Sequence, residues 1–125
     1  MLMKEEAAAM LRAGHAAAME RVNSGVAEVS LGSVVNAASN ATQAALPQPL
    51  RDRIAPLAGM PTVAERFAHM DTRLKILKDV SALCNLIHDK LHVALASEPP
   101  KEWDAVVKAF GDDLDALLDA HWTEG

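Results

Sequence analysis

Residues 62–96, TVAERFAHMDTRLKILKDVSALCNLIHDKLHVALA, contain neither proline nor glycine and form the longest uninterrupted helical pattern in the sequence. The stretch begins with a capping box, because the hydroxyl of Thr62 is followed three residues later by the carboxylate of Glu65. Nothing after this start interrupts the helical pattern before residue 96. At 1.5 Å per residue, the sequence predicts one helix about 50 Å long.

The predicted long helix carries two apolar stripes. The first follows three-four spacing through Phe67, Met70, Leu74, Leu77, Ser81, Cys84, His88, Leu91 and Leu95. The second consists of Ile76, Val80, Leu83 and Ile87. Together they form a face too wide for a two-stranded coiled coil, which favours a place at the centre of a bundle. We expect Arg66 and Arg73 to cover this face with their stems and to bind carboxylates of the last helix.

The rest of the chain predicts further helices and no sheet. The composition is rich in helix formers, and aromatic residues, which strands prefer, make up only 3%. Apolar periodicity and proline or glycine breaks predict helices at 3–22, 31–46, 62–96 and 100–122, with a short one at 49–58. We therefore expect one all-α domain over residues 1–125, a four-helix up-and-down bundle with an additional short Pro-flanked helix.

Charge and cysteine content exclude several classes of function. The net charge of −5 has the wrong sign for neutralising phosphates, so we expect no nucleic-acid partner. No stretch is long and apolar enough to span a membrane, so we expect no membrane partner. The lone Cys84 forms no internal disulfide and indicates a cytoplasmic location. An acidic cluster near the end of the chain fits a solvated helix face or a dock for a basic partner, and consists of Asp112, Asp113, Asp115 and Asp119.

Cys84, His88 and His92 are the residues most suggestive of chemistry. Their spacing of four places a thiol and two imidazoles along one side of a helix, a set that a transition metal can use. The same positions also fit a buried cysteine and a hydrogen-bonded core histidine. No other combination of residues forms a convincing catalytic set. We therefore expect a non-catalytic protein without a cofactor, with a transition metal as the alternative.

The first predicted helix has a face of small side chains that allows another helix to approach closely. Its members are Met3, Ala7, Met10, Leu11, Gly14, Ala17 and Ala18. Because 24 of the 63 apolar residues are alanine, we expect a thin core that dimerisation would supplement. The sequence therefore predicts a protein–protein interaction or self-association module, with a homodimer that uses this face. A metal- or ligand-responsive bundle that uses Cys84, His88 and His92 is the alternative.

Overall fold

The computed structural model describes residues 2–24 and 29–122, and within these ranges it contains helices and no strand. The predicted all-α class is confirmed, while the two ends of the predicted 1–125 domain lie outside the described residues. The α-helices are α1 (Lys4–Val22), α2 (Leu31–Ala44), α3 (Gln48–Ile54), α4 (Val63–Ala96), α5 (Trp103–Asp112) and α6 (Leu114–His121). A 3-10 turn at Pro100–Glu102 precedes α5.

Local side-chain chemistry explains where two of the helices begin. At α4, the Glu65 amide donates to Thr62 Oγ1 at 3.1 Å, and the Glu65 carboxylate accepts from the Thr62 amide at 3.3 Å. This is the capping box that the sequence predicts. At α2, the Ser33 amide donates to the side chain of Ser30 at 3.1 Å. Each cap satisfies backbone donors that would otherwise be free at a helix start.

Two predicted helices differ from the observed ones. The short helix ends at Ile54 rather than residue 58, because Pro56 forces Ala55 into an extended conformation with ψ of 152°. The predicted single helix over 100–122 is wrong, since the helix is interrupted at Asp113, between α5 and α6. The break follows Gly111, where a Cβ atom would lie 2.3 Å from the imidazole of His15. A glycine followed by two aspartates is a poor helix interior, and the packing on His15 requires this glycine.

Helices α1 and α2 pack closely because small residues line their contact. A Cβ atom at Gly14 would come within 2.1 Å of Thr42 Oγ1 and 2.7 Å of the Ala38 carbonyl oxygen. Thr42 is fully buried, and its hydroxyl donates to the same Ala38 carbonyl at 2.8 Å. The Thr42 side chain therefore lies in the contact between α1 and α2 with its hydroxyl group hydrogen-bonded.

Only the second part of α4 contributes side chains to the core. The buried residues of this helix are Ile76, Val80, Leu83, Ile87, Leu91 and Leu95. Helix α4 has 34 residues and is about 51 Å long, whereas α1 with its 19 residues reaches about 28 Å. Helices α1 and α2 are too short to cover all of α4, and beside its first part lie α3 and residues 55–58, next to Ala68, His69 and Thr72. The expectation that Phe67, Met70, Leu74 and Leu77 lie in the core is therefore wrong.

Helix α5 packs against α1 and α4, and α6 packs against α1 and α5. The indole Nε1–H of Trp103 donates to the Leu95 and Glu98 carbonyls at 3.1 and 3.2 Å, at the end of α4. His15 Nε2 of α1 donates to the Val107 carbonyl of α5 at 2.7 Å. These hydrogen bonds fix the last part of the chain to the two helices that carry most of the core.

Candidate interaction surface

We call the first part of α4, residues 63–77, the arm; of its apolar side chains only Ile76, on the side that faces the core, is buried. One side of the arm presents five large apolar side chains, the arm stripe, to solvent. Their exposed fractions are 58% for Val63, 66% for Phe67, 54% for Met70, 62% for Leu74 and 37% for Leu77. Met60, just before the helix, is fully exposed. Single exposed apolar residues are ordinary, but a contiguous row of five is a candidate contact surface.

The spacing of the arm stripe indicates what kind of contact it makes. Its members follow one another at intervals of four, three, four and three residues. This is the repeat of 3.5 residues that places a and d side chains along the seam between two helices. Val63, Met70 and Leu77 occupy d positions, and Phe67 and Leu74 occupy a positions. The arm stripe therefore has the pattern of a helix that packs against another helix.

Two arginines lie along one edge of the arm stripe. Arg66 and Arg73 are exposed and occupy the g positions of the repeat. They border a groove of about 320 Å³, which is lined by Leu57, Pro61, Arg66, His69, Met70 and Arg73. In residues 2–24 and 29–122, neither arginine forms an ion pair with the last helices. The predicted binding of their head groups to those carboxylates is therefore wrong.

The predicted metal ligands are not brought together as one set. Cys84 is half-buried, and its thiol donates to the Ser39 carbonyl of α2 at 3.6 Å. Burial raises the pKa of the Cys84 thiol, and the hydrogen bond to Ser39 opposes this shift. The rings of His88 and His92 stack with their centroids 6.3 Å apart, and His88 Nδ1 lies 3.2 Å from Asp89 Oδ1. Across the described part of the chain, no three His, Cys, Asp or Glu side chains form a group able to hold a metal. Metal binding at these residues stays a prediction.

The small-residue face of α1 is occupied within the chain. Five of its seven members are buried, namely Ala7, Met10, Leu11, Gly14 and Ala18. Ala17 is half-buried and Met3 is exposed. The sequence predicts an intermolecular contact through this face, but the structure uses it for the intramolecular packing of α1 on α2. The pattern correctly indicates close helix packing but does not distinguish a neighbouring helix from a second chain.

The acidic cluster at the end of the chain lies at the surface. Asp112, Asp113, Asp115 and Asp119 are all exposed, and Asp119 forms an ion pair with Lys4 of α1. The cluster thus includes one contact that links α6 to α1. Docking of a basic partner on the cluster stays a prediction.

Sequence reasoning missed the arm stripe as a contact surface, although the signal was present. The 3.5-residue spacing from Val63 to Leu77 is readable from the sequence, but the same helix carries a second apolar stripe that competes for the core.

No described helix is both long enough and apolar enough to cross a membrane. Comparison with known proteins finds no matching family, no similar curated protein and no similar solved structure.

Proposed function

We propose that this protein is a non-catalytic self-association module, and that the arm stripe is the surface through which two copies bind. The observation that carries this proposal is the exposure of Val63, Phe67, Met70, Leu74 and Leu77 along one side of α4. Their seam-like spacing favours a helix as the occupant. A second copy of the chain supplies such a helix with the same apolar pattern.

The exposed area supports a dimer. The arm stripe and Met60 together expose an area on the order of 600 Å², at the upper end of the largest apolar patch on a typical monomer. A standard interface buries about 800 Å² on each partner. The stems of Arg66 and Arg73, next to the arm stripe, would supply much of the remaining area.

In this proposal the helices outside the arm act as a four-helix up-and-down bundle whose role is to hold the arm. The lone Cys84 favours a reducing compartment such as the cytoplasm. The net charge of −5 argues against nucleic acid as the partner.

Sedimentation velocity at micromolar concentration tests the proposal with two matched variants. Phe67→Glu places a charge at the centre of the arm stripe, whereas Val93→Glu makes the same type of change at a 69% exposed site near the other end of α4. We expect the parent protein and Val93→Glu to sediment as two chains and Phe67→Glu as one. Circular dichroism should show equal helix content in all three. A parent protein that sediments as a single chain, or a Phe67→Glu variant that remains dimeric, would refute the proposal.

A further inference from the structure

We infer that the two arms bind in antiparallel orientation, with Phe67 of each copy against the partner's Met70. This inference rests on the proposed function and specifies the geometry of the same surface. In an antiparallel pair of helices, a positions of one chain face d positions of the other. The register that places Phe67 against the partner's Met70 also places Val63 against the partner's Leu74. By symmetry the same two contacts occur twice, which gives four consecutive apolar layers.

The size of the side chains fits this register. The smallest member of the arm stripe, Val63, faces the larger Leu74, and the aromatic Phe67 faces the flexible Met70. Leu77 of each copy then lies opposite the end of the partner's arm, where Met60 is fully exposed. All members of the arm stripe therefore obtain an apolar partner in one arrangement.

The position of the bundle favours antiparallel over parallel binding. The line of the arm stripe continues along α4 to Cys84. There α2 is already in contact with α4, because the Cys84 thiol donates to the Ser39 carbonyl of α2. In a parallel pair the partner's α4 would run along this line toward α2, and the two bundles would lie side by side. In the antiparallel pair the helices overlap only along the arms. The two bundles then lie at opposite ends, so neither blocks the contact.

Charged residues at the edges of the contact would repel each other in the antiparallel pair and attract each other in the parallel pair. In the antiparallel pair, Arg66 lies near the partner's Arg73, so the edge formed by the g positions contains two like-charge contacts. In a parallel pair, Arg66 would lie near the partner's Asp71 and attract it. Changing the sign of the charge at residue 66 therefore strengthens one arrangement and weakens the other.

Charge reversal at residue 66 is the first test. We expect Arg66→Glu to lower the dimer dissociation constant about threefold or more at low salt, because two repulsive contacts become attractive. The double variant Arg66→Glu/Arg73→Glu restores like charges and should return the constant toward the parent value. Lys101→Glu, an exposed site on the 3-10 turn, is the control for the change in net charge. A weaker dimer in Arg66→Glu would overturn the antiparallel orientation.

Disulfide trapping is the second test, and it determines directly whether the two arms are antiparallel or parallel. In a Cys84→Ala background, Val63→Cys and Leu74→Cys chains are incubated with oxidised glutathione, separately and as an equal mixture. We expect the mixture to give a disulfide-linked dimer of one chain of each kind, and the separate samples to remain largely unlinked. Rapid linkage of each variant with itself would establish a parallel pair and overturn the inference while the proposed function stands. Absence of any linkage, together with single-chain sedimentation of the parent protein, would refute the proposed function itself.

Discussion

Phe67 and Ile76 lie on opposite sides of the same helix, because nine residues at 100° each turn the chain through two and a half turns. Phe67 is 66% exposed, whereas Ile76 is completely buried. The two apolar stripes of α4 therefore serve different purposes. The stripe that includes Ile76 packs against the bundle, and the stripe that includes Phe67 faces solvent. This separation underlies the proposed self-association.

The close contact of α1 on α2 predicts a strong effect of a single methyl group. Gly14→Ala would place a Cβ atom 2.1 Å from Thr42 Oγ1 and 2.8 Å from Ile87 Cδ1, so the helices must separate. We expect a loss of roughly 1–3 kcal/mol in the free energy of unfolding, measured by urea denaturation.

Gly32→Ala is the matched control for this change. Gly32 is an exposed residue of α2, and an added Cβ atom there would meet nothing within 4 Å. Since alanine is the better helix former, this variant should be as stable as the parent protein or more stable. Equal destabilisation by the two substitutions would contradict the tight contact at Gly14.

The two tryptophans predict a contrast in hydrogen bonding. Trp103→Phe keeps an aromatic ring but removes the donor to the Leu95 and Glu98 carbonyls, and should cost about 1 kcal/mol of stability beyond the loss of ring area. In Trp122, the buried Nε1 has no hydrogen-bond partner among the residues that the structure describes. Trp122→Phe should therefore cost less. Thermal unfolding of both variants measures the difference, and a larger loss for Trp122→Phe would count against this account.

Cys84 predicts a loss of stability at alkaline pH. Burial raises the pKa of its thiol, so the folded chain retains this proton at a pH where the unfolded chain has lost it. The unfolding free energy should be unaffected by this group below the ordinary thiol pKa of about 8.5 and should fall as the pH rises above it. The measurement is the difference between the parent protein and Cys84→Ala at pH 7 and at pH 10. A difference that does not change with pH would show that Cys84 does not contribute this effect.

Burial of the Cys84 thiol also bears on metal binding. A thiol must lose its proton to bind zinc, and burial opposes this loss at Cys84. We expect added Zn²⁺ to leave the melting temperature unchanged. A rise that His88→Ala/His92→Ala abolishes would instead establish the metal-responsive alternative.

The start of α4 was predictable because its signal is local, and the role of its apolar stripes was not. Thr62 and Glu65 form their capping box through neighbouring backbone groups, whatever the rest of the chain does. Whether Phe67 or Ile76 is buried depends on how far α1 and α2 reach along α4, which is a property of the whole fold. The same reason explains the failed expectation for Arg66. The interruption at Asp113 has a local signal in the sequence Gly111-Asp112-Asp113, whereas the contact of Gly111 with His15, 96 positions away in the sequence, is a property of the whole fold.

The molar mass of the unmodified protein in solution, measured by light scattering across a dilution series, shows whether two copies bind. We expect a mass twice that of the 13.3 kDa chain at micromolar concentration, falling toward the single-chain value on dilution. Phe67→Glu should have the single-chain mass throughout the series. A mass of one chain for the unmodified protein at every concentration would contradict the claim that the exposed stripe of α4 binds a second copy.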